Sequence, residues 1–138
     1  MENILTLYGA KVTINPEATG AWYRQADEWG CECGDCRHFV ALAREGRLPA
    51  LVTDTLAPLG IPPEKATYVC TMSGPEEDGT LYQFNYRLAG EILVPGELPG
   101  ALARCGHDPY PYGAPNFPTP HFDLEFYLRL PNLPDGGN

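Results

Sequence analysis

The chain has 138 residues, 43% of them hydrophobic and 11% aromatic, which fits one domain with its own core and excludes a disordered tail. Lys+Arg 9 against Asp+Glu 18 gives a formal net charge of −9, an imbalance that argues against nucleic acid and anionic membrane as partners, because both need clustered cations. Gly 15 and Pro 15 place much of the chain in turns and irregular loops.

Ile4 to Ile14 reads as extended structure, with a bend or hairpin at Gly9. Asn15-Pro16 reads as the start of a loop. Residues 18–30 show no clear period, and Trp22, Tyr23 and Trp29 are expected to pack on the body. Asp35 is a suitable N-cap for a helix over Cys36 to Arg44, with Gly46 as its stop. Pro49 fits the first turn of a second helix, whose stripe of Leu48, Leu51, Val52, Leu56 and Leu59 faces a core. Pro58 should end or kink that helix. Two short helices joined tightly pack as a hairpin.

After Lys65 the period changes to two. Thr67 to Met72 reads as a strand, Ser73 to Gly79 as a turn, and Tyr82, Phe84, Tyr86 and Leu88 as one face of the clearest strand. Gly90 reads as a bulge before Ile92-Leu93-Val94, and Pro95 to Gly100 as a turn. Arg104 to His121 reads as one long irregular segment, with Tyr110, Tyr112 and Phe117 as a candidate interaction surface. Phe122 to Leu130 closes the fold as a half-buried strand. The expected class is α+β: an antiparallel sheet with a two-helix hairpin on one face, one domain over residues 1–131, and a frayed tail over 132–138.

Met1-Glu2-Asn3 carries no positive charge cluster, and Thr6 and Gly9 interrupt the apolar stretch behind it, so no signal peptide is read there. No run approaches the ~20 apolar residues of a membrane helix. The expectation is a cytoplasmic protein with reduced thiols. Five cysteines cannot pair completely, and Cys31, Cys33 and Cys36 crowd into six residues.

That cluster has three readings. Three sulfurs on a turn closed by Gly34 could hold zinc, which wants four tetrahedral ligands. The fourth would come from Cys70, Cys105, His107 or His121 through the fold, since His38 sits awkwardly two residues after Cys36. Alternatively, Cys33-Gly34-Asp35-Cys36 at a helix start is a place for thiol-disulfide chemistry, because the helix dipole favours thiolate. That piece resembles the motif of thioredoxin-like proteins, and Thr119-Pro120 resembles their active-site proline. The βαβ pattern around that motif is missing, and Asp35 opposes a thiolate. The third reading is simple burial of small apolar side chains.

Cys31, Cys33, Cys36, Arg37 and Phe39, then Leu59-Gly60-Ile61, then Phe122 to Pro131 together resemble a group of small bacterial proteins with a C-x-C-x-x-C-R-N-F-like motif. His38 stands here in place of the Asn. The resemblance implies a fold shape and no mechanism. The His107-Asp108 and His121-x-Asp123 pairs are easily met by chance, and no G-x-S-x-G, H-E-x-x-H or phosphate-binding glycine loop is present. The expected function is a small acidic, non-catalytic binding or regulatory module with a basic protein as partner.

Overall fold

The structure is a computed structural model that describes residues 3–30, 33–96, 102–107 and 114–132. Strands β1 (Asn3–Leu7) and β2 (Ala10–Ile14) form an antiparallel hairpin. Its two-residue turn places Tyr8 at φ 51° and Gly9 at φ 81°, the left-handed pair that matches strand twist. Tyr8 tolerates this because its side chain is held: its hydroxyl donates to Thr55 Oγ1 at 2.8 Å and its ring stands edge-on to Phe126.

The expected loop at Asn15-Pro16 is instead the start of helix α1 (Pro16–Gln25). The Asn15 side chain accepts the Ala18 N–H, and Pro16 takes the first helical position, where no N–H is needed. Helix α2 (Gly34–Arg44) is capped by Cys33 rather than Asp35, which lies in its first turn. It ends as expected at Gly46, φ 70°, with the Arg47 N–H donating to the Leu42 carbonyl. Helix α3 (Ala50–Leu59) has Pro49 as its cap and keeps Pro58 in its last turn, where only one intrahelical bond is forgone.

The remaining strands are β3 (Tyr68–Glu76), β4 (Gly79–Val94), β5 (Ala103–Gly106) and β6 (His121–Leu130). All pairings are antiparallel, in the order β1-β2-β4-β6-β5, with β3 also on β4. The expected turn from Ser73 is shorter than the sequence suggested: β3 continues to Glu76, which pairs with Gly79, so only Glu77 and Asp78 turn. The bulge falls at Leu93, between the Val12–Ile92 and Lys11–Val94 pairs. Gly90 serves a close approach instead, since a Cβ there would lie 1.9 Å from the Thr13 carbonyl oxygen. Arg104, expected in a loop, belongs to β5.

Strand β4 organises the molecule. Along one edge it pairs with β6 from Thr80 to Ala89. Along the other it meets β3 up to Asn85 and β2 from Gly90. Helix α1 seals the gap between them: the Tyr23 hydroxyl donates to the Arg87 carbonyl at 2.8 Å, and the Ala89 N–H donates to Thr19 Oγ1 at 3.0 Å. The Asn15 N–H donates to the Ala89 carbonyl at 2.8 Å.

The face bearing Tyr82, Phe84, Tyr86 and Leu88 meets Phe122, Leu124, Phe126 and Leu128 of β6 in the core. Phe39 of α2 packs on Tyr82 and Phe84, and Val52 and Leu56 of α3 are fully buried. The α+β class therefore holds, with a third helix that periodicity did not reveal. Asn132, expected to fray, is pinned by donating its Nδ2 to the Glu76 carbonyl at 2.8 Å; residues 133–138 lie outside the described residues. Among the described residues no helix is long and apolar enough to cross a membrane.

Candidate functional site

The cysteine turn sits where α2 begins. Cys33 is exposed and caps the helix, its sulfur accepting the Cys36 N–H at 3.4 Å. Cys36 is 4% exposed. The Tyr82 hydroxyl donates to the Asp35 carbonyl at 2.7 Å, which fixes this first turn over the core face of β4. Burial, then the charge of Asp35 and of the two cysteines, pushes the Tyr82 phenol well above its ordinary value. Thr71 Oγ1 donates to Asp35 Oδ2 at 3.3 Å, drawing that carboxylate toward β3. His38 stacks on Tyr82 and donates its Nε2–H to the Pro131 carbonyl at 2.8 Å, a structural bond that ties α2 to the end of β6.

The four residues considered as a fourth metal ligand lie elsewhere. Cys70 pairs with Gln83, so it points to the face opposite Tyr82 and the sheet separates it from the turn. Cys105 pairs with Leu124, whose own partner is Tyr86, about 13 Å along and about 10 Å across from Tyr82. It is buried, its thiol donates to the Leu7 carbonyl at 3.8 Å, and burial pushes it up to about 12. His121 pairs with Ala89, on the far face and about 23 Å along β4 from Tyr82. His107 is its neighbour: burial, then the charges of Arg87 and His107, hold His121 below the ordinary 6.5. Thr119-Pro120 is also at that end, the Pro120 carbonyl accepting the Gly90 N–H, so it is no partner for Cys33. Among the described residues no three His, Cys, Asp or Glu side chains gather as a metal site, and Cys31 lies outside them.

The second face of the sheet is polar yet buried. Arg87 and Asp123 are cross-strand partners, 3% and 1% exposed, joined through Nε–Oδ1 at 3.0 Å and Nη2–Oδ2 at 3.3 Å. Glu125 Oε1 accepts from Arg104 Nε at 2.8 Å and from the Tyr127 hydroxyl at 2.7 Å. Burial, then that bond, pushes the Tyr127 phenol up to about 12. These charges neutralise one another, which fits a structural role.

A cleft of about 480 Å³ opens where residues 26–30 leave α1, lined by Trp22, Asp27, Glu28, Trp29, Ala66 and Pro115. Trp22 Nε1 donates to the Pro115 carbonyl at 3.0 Å, and its ring packs 4.9 Å from Phe117. Phe117, expected on an interaction surface, is therefore buried and serves as the cleft's support. Tyr110 and Tyr112 lie outside the described residues. The Trp29 N–H donates to the Glu64 carbonyl at 3.1 Å, and its ring stands edge-on to Tyr68. Trp29 Nε1 is buried without a partner among the described residues. Glu28 is clamped by the Arg44 guanidinium, whose hydrogen bond holds its carboxyl below the ordinary 4.5. Asp27 is exposed, with no hydrogen bond or ion pair among the described residues. The sequence identified the two tryptophans only as packing groups; their convergence with Pro115 spans more than eighty residues of chain.

Comparison with family models, curated proteins and solved structures finds no match.

Proposed function

We propose that the chain is a non-catalytic binding module that docks a basic segment of a partner protein in the cleft. The observation that carries this reading is the pairing of two indoles with the Asp27 carboxylate in one cavity. A lysine or arginine side chain suits both, through cation–π attraction to the rings and Coulomb attraction to the acid. The volume of about 480 Å³ falls among ordinary ligand clefts, and the net charge of −9 draws basic partners toward the surface. The buried acids satisfy their own cations, which supports a binding role over acid–base chemistry.

Titration with a Lys/Arg-rich peptide, read by tryptophan fluorescence, tests it. The peptide should saturate the signal, and the same peptide with serine at its basic positions should not. Asp27→Asn should weaken binding roughly two- to fivefold, the range expected of one exposed charge contact of ~0.5–1 kcal/mol. Equal binding of the basic and neutral peptides would sink the reading.

A further inference from the structure

We propose that Cys33 and Cys36 form a thiol–disulfide exchange pair whose oxidant is a low-molecular-weight disulfide of the glutathione type. This activity is independent of the cleft. Three observations converge on it. First, the two sulfurs divide the labour by burial: Cys33 is exposed, while Cys36 is 4% exposed beneath it. An incoming disulfide reaches the first and not the second. Second, Cys33 caps an eleven-residue helix, and its sulfur already accepts the Cys36 N–H at 3.4 Å. A thiolate accepts that bond more strongly than a thiol, and the helix N-terminus adds its partial positive charge. Third, the acid between them is turned aside, since Asp35 Oδ2 accepts from Thr71 Oγ1 and the Asp35 carbonyl accepts from Tyr82. The same two bonds hold the first turn rigidly on the sheet, keeping the cysteines one helical turn apart.

The chemistry balances without a metal or further cofactor. The Cys33 thiolate attacks one sulfur of the small disulfide, whose S–S bond breaks and releases one small thiolate. The mixed disulfide on Cys33 is then attacked by Cys36, which forms the Cys33–Cys36 bond and expels the second small thiolate. The protons of the two protein thiols pass through water to the two leaving groups. Two protein thiols are oxidised and one external disulfide is reduced. The reverse sequence reduces the pair when small thiols are in excess.

The test treats the reduced full chain with glutathione disulfide and reads intact mass and peptide maps. Wild type should lose two hydrogens, with the bond mapped to Cys33 and Cys36, and dithiothreitol should restore it. The double variant Cys31→Ser with Cys36→Ala should instead retain one glutathione on Cys33, because both neighbouring thiols that could resolve the adduct are gone. Cys33→Ser, whose hydroxyl still caps α2, should do neither. Cys31→Ser should leave the Cys33–Cys36 bond intact. Iodoacetamide at pH 7 should modify the exposed Cys33 ahead of the buried Cys36. Wild type that keeps all its thiols, a bond that maps to Cys31, or an adduct on Cys36 in place of Cys33 would overturn the proposal.

Discussion

At the residue scale the costly choice is Arg87 with Asp123. Both side chains are nearly inaccessible, and their two hydrogen bonds cross between β4 and β6. Desolvating two charges consumes much of their attraction, so the pair adds little net stability while making the loss of either member expensive. Asp123→Asn should therefore lower unfolding free energy by ~3–5 kcal/mol in urea titrations. The double variant Arg87→Met with Asp123→Leu should cost less than its two single variants summed, by ~0.5–3 kcal/mol. Additive costs would mean that the two side chains are not coupled. The alternation that sets Gln83, Asn85 and Arg87 on the face opposite the aromatics was legible, but the burial of that face was not. Burial of that face depends on which strand brings its acid opposite Arg87, and pairing register is a non-local property.

At the element scale, α1 does what a strand would otherwise do. The edge of β4 between β3 and β2 has no strand partner at Arg87 and Ala89, and unpaired buried backbone groups are destabilising. Thr19 and Tyr23, one helical turn apart, supply an acceptor for one group and a donor for the other. Thr19→Val keeps the shape and removes the acceptor of the Ala89 N–H. It should cost ~1–3 kcal/mol, and in hydrogen exchange the Ala89 amide should lose protection ahead of its β4 neighbours. Unchanged exchange at Ala89 would remove α1 from that role. This helix was missed because Asn15-Pro16 begins both loops and helices, and the Asn side chain decides by capping Ala18. The strands other than β5, and the other two helices, were legible because their periods of two and of three to four are local, whereas the four residues of β5 are too few to show a period. The cap of α2 was misplaced by two residues for a related reason: Asp35 is the better cap by type, but its backbone carbonyl is taken by Tyr82, a contact set by tertiary packing. At the cysteine turn the sequence supplied the residues, while the separation of Cys70 and Cys105 from them came from register alone.

At the scale of the whole molecule, the buried Arg87–Asp123 pair and the half-exposed Arg104–Glu125 pair cancel, so the full charge of −9 acts outward. Exposed acids stand on α1 at Glu17, on α3 at Asp54, on the β3–β4 turn at Glu77 and Asp78, and on β4 at Glu91. A field spread over so many elements attracts a cation from any direction and orients it poorly. On the proposed binding reading, orientation falls to the cleft that Trp22, Trp29 and Asp27 line. These two contributions separate kinetically, because long-range attraction acts on encounter and close contacts act on residence. Raising ionic strength from ~0.01 M to ~0.15 M shortens the screening length from ~30 Å to ~8 Å, less than the span of this domain. Association of a Lys/Arg-rich peptide, followed by stopped-flow tryptophan fluorescence, should therefore slow about tenfold over that range, with dissociation little changed. Asp27→Asn should do the opposite, speeding dissociation roughly two- to fivefold while removing only a small part of the total field. If salt accelerates dissociation and leaves association untouched, the global charge plays no part in capture, and the acidity of the chain serves solubility alone.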